Sequence, residues 1–269
     1  AAAGAEAADT GPHPAVRDYA GWLLLSAMGS FMLLAVTNHI THDVASVPFL
    51  WILPLTLYLL TFILCFEGRG WYRRSLFLGP LLVIVCAMAW ALHTERGIMD
   101  IKEALPLNLA GLFVMCMFFH GELAARKPAP RYLTGFYLMV SLGGALGGVA
   151  VGLVAVKLFN TYYEFGIGLV VTLMIAAYVT RLMHSVVPML ALAAIGFSGF
   201  HVHQYITSLT GNTRIMTRNF YGTLRVKDVG SGDDALRRLM NGVIMHGEQY
   251  LAEGRRSEPT TYYGVTSGI

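Results

Sequence analysis

Residues 44–66 carry no formal charge over more than twenty positions, which is enough to cross a hydrocarbon core of about 30 Å as a helix. Asn38, His39, His42 and Asp43 stand directly before that run. Polar and ionisable groups at the mouth of a span need a partner or a task to be there. In lipid every backbone N–H and C=O must be satisfied within its own segment, so an apolar run of this length is a helix. The pattern recurs, with apolar segments at 19–37, 47–66, 75–93, 104–120, 132–156, 165–180 and 186–200. The last two are short for a full crossing.

Composition divides the chain. Charged residues make up 13% of 269 and the mean hydropathy is +0.57, against about 25% charged residues in a soluble domain. The charges gather in the loops and in the C-terminal tail. The expected organisation is a flexible linker over 1–18, a polytopic membrane domain over 19–208 and a soluble β region over 209–269. No basic run interleaves with aromatics, so nucleic acid is not an expected partner; the lipid bilayer is. Cys65, Cys86 and Cys116 lie inside apolar runs without a CxxC pair. They read as small hydrophobes, with no metal or covalent haem site.

Loop charges suggest an orientation. Arg69, Arg73 and Arg74 sit beside Trp71 and Tyr72, and Arg126, Lys127 and Arg131 form a second basic loop. Both loops belong on the cytoplasmic side, and aromatics belong at the lipid–water boundary. The loop after Asn38 has no Lys or Arg and belongs outside. The side of the tail then depends on 186–200. A crossing there puts the tail outside, and a shallow dip keeps it in the cytoplasm.

Gly143, Gly144, Gly147, Gly148 and Gly152 punctuate the fifth segment. A phosphate-binding glycine loop must end a strand and open a helix, whereas these lie inside an apolar run. Spacing by four puts small residues on one helix face and lets a neighbouring helix approach closely. After residue 213 the pattern alternates. Phe220, Leu224 and Val226 share one side of an expected strand over 219–228. Asn241-Gly242 between apolar pairs marks a hairpin. The expected fold is a membrane all-α bundle of about 6–7 transmembrane helices followed by a small antiparallel β region. So few β residues make a poor core alone, so the tail must dock on the bundle or on a partner.

Polar groups in the spans carry two readings. On a continuous helix His39, His42 and Asp43 share a face, which suits a metal or proton site or a substrate gate. Alternatively they form a polar helix end, with Asp43 capping the next span. His120 and Glu122 close the fourth segment beside Arg126 and Lys127, where the carboxylate can pair with a loop arginine. His201 and His203 diverge on a helix. Tyr221, Tyr262 and Tyr263 offer ring faces for a polyamine cation or, equally, for sheet packing.

Three blocks bear a family resemblance. The first is Thr37-Asn-His-Ile-Thr-His-Asp-Val-Ala with Pro48-Phe-Leu-Trp-Ile-Leu-Pro-Leu-Thr-Leu-Tyr58. The second is His120-Gly-Glu-Leu-Ala124 with Pro128-Ala-Pro-Arg-Tyr-Leu-Thr-Gly-Phe-Tyr137 and the glycine run that follows. The third is Arg218-Asn-Phe-Tyr-Gly-Thr-Leu-Arg-Val226 with His246-Gly-Glu-Gln249 and Pro259-Thr-Thr-Tyr-Tyr-Gly264. Together they resemble the bacterial fused transporter-like/spermidine-synthase-like membrane proteins over nearly the whole chain. The resemblance implies a multi-pass protein of the bacterial inner membrane. It also implies that the tail is the β-hairpin start of a synthase-like domain whose nucleotide loop and acidic catalytic residue would follow Ile269. Tyr221, Gln249, Tyr262 and Tyr263 would line its substrate side. Soluble members carry Asp-Gly-Val-Ile-Gln where this chain has Asn241-Gly-Val-Ile-Met245. No catalytic residue or cofactor is therefore expected within these residues. Decarboxylated S-adenosylmethionine is implied only with the further domain present and active. The implied roles are membrane anchor, accessory subunit beside other membrane subunits or the remainder of its own polypeptide, or carrier of a small cation or polyamine.

Overall fold

Seven helices precede one four-stranded sheet among the residues that the computed structural model describes, which are 11–44, 47–67, 70–93, 101–181, 186–242, 244–262 and 264. Helix α1, Val16–His39, opens with the Asp18 carboxylate accepting the Ala15 N–H at 2.8 Å and continues into a π-helical turn, Ile40–Val44. Then come α2, Ile52–Phe66, α3, Arg74–His93, and α4, Ile101–Ala124. Helix α5 runs as Leu133–Val149, a π stretch Ala150–Ala155 and a last turn Val156–Leu158. Helices α6, Tyr163–Thr180, and α7, Val187–Thr210, complete the bundle. Five of them, α1, α3, α4, α5 and α6, are long and apolar enough to cross a membrane, the mark of a multi-pass membrane protein. Of the proposed linker, only residues from 11 on are described.

The differences from expectation lie at helix ends. The span expected over 104–120 gains a turn at each end in α4, which puts His120 inside the helix. The span expected over 47–66 begins only at Ile52, because a turn closed by Ile52 N–H to Phe49 C=O precedes it and Phe49 has a positive φ of 64°. Asp43 therefore does not cap the second span, which has Trp51 at its N-cap. The short segment expected over 186–200 continues to Thr210. His201, His203 and Gln204 lower its hydropathy, yet Thr207 and Thr210 bond back to the carbonyls of His203 and Ile206 and the helix persists. Elsewhere hydroxyls are satisfied the same way, Thr37 on Leu33, Thr172 on Gly168 and Thr180 on Ala176. This is how polar side chains are tolerated where water is scarce.

Large side chains fill the centre, with Trp22, Met32, Phe118, Phe119 and Phe136 almost fully enclosed. The outer helix faces are apolar too. Val83 on α3 is 71% exposed and Leu138 on α5 is 61% exposed, which suits lipid and not water. Main chain closes on main chain where α1 meets α5. A Cβ on Gly143 would stand 2.4 Å from the Leu23 carbonyl oxygen, and one on Gly147 would stand 2.2 Å from that of Ala27. Gly144 and Gly148 have looser neighbours, and Gly152 has none within 4 Å. Ser26 Oγ donates to the Val140 carbonyl at 2.6 Å across the same seam.

The sheet is a meander, β1 Thr213–Asn219, β2 Gly222–Val229, β3 Leu236–Asn241 and β4 Ile244–Tyr250, in that spatial order and antiparallel throughout. The strand expected over 219–228 breaks at its start, since Phe220 and Tyr221 form the β1–β2 turn and Gly222 takes φ 152°. Asn241 and Gly242 lie at the β3–β4 turn, with Gly242 at φ 58°. The register aligns Ile215, Val226 and Leu239 across three strands, with Leu224 and Ile244 in the next row. That face is largely exposed. Along the outer edge of β4, Tyr262 Oη donates to the His246 carbonyl at 2.7 Å, and Thr260 Oγ1 donates to that of Glu248.

Because Gly147 lies against main chain, Gly147→Ala should lower unfolding stability in detergent by ~1–3 kcal/mol through overpacking. Gly152→Ala should leave it unchanged or raise it, and thermal unfolding of the two variants checks the contrast.

Candidate functional site

Ionisable side chains collect at the two ends of the bundle. At the first end Glu122, its side chain fully buried near the end of α4, accepts Tyr72 Oη at 2.7 Å, Arg74 Nε at 2.6 Å, Arg74 Nη2 at 2.7 Å and Arg126 Nη1 at 2.8 Å. Arg126 also donates to the Glu122 carbonyl, and its own carbonyl accepts Trp22 Nε1 at 3.0 Å. Burial, followed by the Glu122 charge, pushes the Tyr72 phenol far above its ordinary range, so Tyr72 stays a neutral donor. The loop arginine that the spacing suggested supplies one bond. Arg74, which no spacing pointed to, supplies two in the fork geometry that guanidinium and carboxylate share. The result is a knot tying α1, α3, α4 and the α4–α5 loop. With every oxygen taken, Glu122 is not free to receive a substrate cation.

Two residues before Glu122 lies His120, 1% exposed. Thr61 has one O–H, which points to the Tyr58 carbonyl at 2.8 Å, so the 3.1 Å contact between Thr61 Oγ1 and His120 Nδ1 needs the proton on nitrogen. That tautomer leaves Nε2 with its lone pair bare. Nε2 has no partner among the described residues and faces the notch at Gly29, where a Cβ would stand 3.3 Å away.

At the opposite end the π turn of α1 brings His39 onto Phe165, with ring centroids 4.4 Å apart, and His42 onto Tyr162, at 5.1 Å. The two imidazoles stack on separate rings. Asn38 lies in the last turn of α1, and the side chain of Asp43 lies outside the described residues. No group of three His, Cys, Asp or Glu suited to a metal occurs among the described residues. Beside Tyr162 the sheet meets the bundle. Arg218 of β1 donates Nη1 and Nη2 to Glu164 at 2.9 and 2.8 Å and Nη1 to the Thr161 carbonyl at 2.9 Å. Its guanidinium lies 4.2 Å from the Tyr162 ring centroid. Both charged side chains are enclosed, at 1% and 2% exposure. Nothing in the spacing of Glu164 and Arg218 announced this pair. A glutamate two residues after Tyr162 and one of two arginines in a strand were the only signals.

The residues expected on a substrate side do not meet. Tyr221 is 87% exposed on the β1–β2 turn. Gln249 pairs with Arg237 at the other end of the sheet and donates to the Arg256 carbonyl. Tyr262 borders β4, and Tyr263 lies outside the described residues. At the end remote from Tyr221, an open groove of about 400 Å³ is lined by Asn212, Thr213, Arg214 and Asp228. Asp228 accepts from Arg237 and Arg214. These bonds, Arg237's first, hold its carboxyl down at about 2.

No protein-family profile, curated protein or solved structure matches this chain.

Removing one partner from a buried ion pair costs ~3–5 kcal/mol, because the other charge is left without water or counter-ion. Arg218→Ala should therefore release the sheet, read as faster limited proteolysis after Thr210 with the helices still protected. Arg218→Lys should not restore it, since one ammonium cannot bridge both oxygens and cover the Tyr162 ring. Asp228 has a carboxyl depressed in the fold, so its contribution is present above the ordinary carboxylate value and is lost as pH falls toward about 2. Asp228→Asn should flatten the acid limb of sheet unfolding, followed by amide exchange in β2 and β3.

Proposed function

We propose that this chain is the membrane-anchoring part of a spermidine-synthase-like protein of the bacterial inner membrane and that its task is structural. In this reading all seven helices cross the bilayer, α2 and α7 included. Helix α7 has 24 residues, or about 36 Å at 1.5 Å per residue. The arginines around Glu122 and the sheet occupy opposite ends of the bundle. With basic loops inside, the sheet stands outside.

The observation that carries the reading is the enclosed Arg218–Glu164 pair, which fixes the sheet to the bundle while leaving its Ile215, Leu224, Leu239 and Ile244 face uncovered. An apolar face held rigidly at the membrane suits a surface on which a further domain or subunit packs. Aminopropyl transfer is not part of the proposal. Tyr221 and Gln249 lie at opposite ends of the sheet, and the Gln249 amide is spent on Arg256, so among the described residues they do not cradle a decarboxylated S-adenosylmethionine. Carriage of a cation is weaker still, because Glu122 and Glu164 are each neutralised by arginine.

Gentle extraction followed by light scattering should give a protein mass well above the 29.4 kDa of this chain. Leu239→Arg, at an exposed position, should reduce it to the mass of one chain without altering thermal unfolding. A wild-type protein already at the mass of one chain would overturn the proposal.

A further inference from the structure

The β1–β2 turn presents Phe220 at 79% and Tyr221 at 87% exposure, the two most exposed aromatic side chains of the described residues. Neither belongs to the apolar sheet face, and neither touches the bundle core. Their height along the bundle is fixed by their neighbour. Arg218 is bonded to Thr161 and Glu164, at the start of α6. A residue two positions from Arg218 thus stands close to the level at which α6, one of the membrane-length helices, begins. Laterally, β1 packs against Val156–Leu158, the last turn of α5. That turn is at the rim, with Leu158 71% exposed and Lys157 exposed beside it.

A second set of side chains marks the same level. Phe49 and Trp51, immediately before α2, are 72% and 50% exposed. Helix α2 starts at the end of the bundle where α1 finishes, which is also where α6 begins. Aromatic rings with a polar atom or edge partition to the boundary between headgroups and hydrocarbon. An amine at the end of an apolar helix reaches for the phosphates there.

We infer that the Phe220–Tyr221 turn is a lipid anchor, in which the two rings lie in the headgroup layer beside the end of α5 and make the bilayer a second attachment for the sheet. The occupant is the lipid surface and not a protein. The rings sit at the rim beside an exposed apolar helix end and a lysine. The broad sheet face, by contrast, lies elsewhere on the domain. The inference goes beyond the structural role proposed above and rests only on the bundle crossing a bilayer.

The test uses the whole chain reconstituted in phosphatidylcholine/phosphatidylglycerol vesicles, with a thiol-reactive fluorophore on Phe220→Cys. The unsubstituted protein, treated alike, supplies the blank for Cys65, Cys86 and Cys116. A nitroxide lipid labelled near the headgroup should quench the Phe220→Cys probe strongly, and aqueous iodide should quench it weakly. Quenching by iodide without lipid quenching would put the turn in water and overturn the inference. Protection from both would mean that protein covers it, a second copy included, and would overturn it as well. A probe on Val83→Cys, at the exposed middle of α3, separates the two levels of failure. Quenching there by a nitroxide near the chain end shows the bundle in lipid. Its absence would sink the membrane reading together with this one.

Discussion

An ionised side chain withdrawn from water must find its counter-charge within the fold, and this requirement organises both ends of the bundle. Glu122 gathers Tyr72, Arg74 and Arg126 and thereby joins three helices and a loop. Glu164 takes Arg218 from a strand more than fifty positions away in sequence and so determines where the sheet sits. Neither pair is needed to make a helix or a strand. They decide how finished elements are oriented toward one another, which apolar packing alone leaves loose. The hydrocarbon faces of α3 and α5 would accept many rotations, whereas a forked pair accepts one.

Between those ends the packing follows size. Gly143 and Gly147 let the α1 backbone come within reach of α5, and Gly29 makes room for the His120 ring. Threonine hydroxyls such as those of Thr37, Thr172 and Thr180 turn back onto carbonyls of their own helix. They therefore cost little and join little. The histidines follow a similar logic. His39, His42 and His120 each lie against aromatic rings, so their imidazoles serve first as flat packing units. The bare Nε2 of His120 is the exception, left so because the Thr61 hydroxyl, whose single proton is already committed, takes the proton on Nδ1.

Much of the layout was legible in the order of residues, and the reasons differ by element. Long uncharged runs announced the helices because lipid tolerates little else, and Asn241-Gly242 announced a hairpin because few residue pairs take that turn. Helix ends were harder. The run over 186–200 looked short because hydropathy counts His201 and His203 as polar, although a helix packed on a neighbour can continue past them. Phe220 read as part of a strand because alternation is blind to a two-residue turn with aromatics in it. The site was the least legible. The pairs Glu122–Arg74 and Glu164–Arg218 join distant segments, and no local spacing encodes a contact that only tertiary packing creates. Residues grouped by motif, such as Tyr221 and Gln249, were separated by the register of the strands between them.

The outer margin of β4 has a further consequence. Thr260 and Tyr262 occupy the His246 and Glu248 carbonyls, the acceptors that an incoming polypeptide would use to lengthen the sheet. While they are in place the meander cannot be extended from that side. Runaway pairing between copies crowded in a membrane is blocked along that margin.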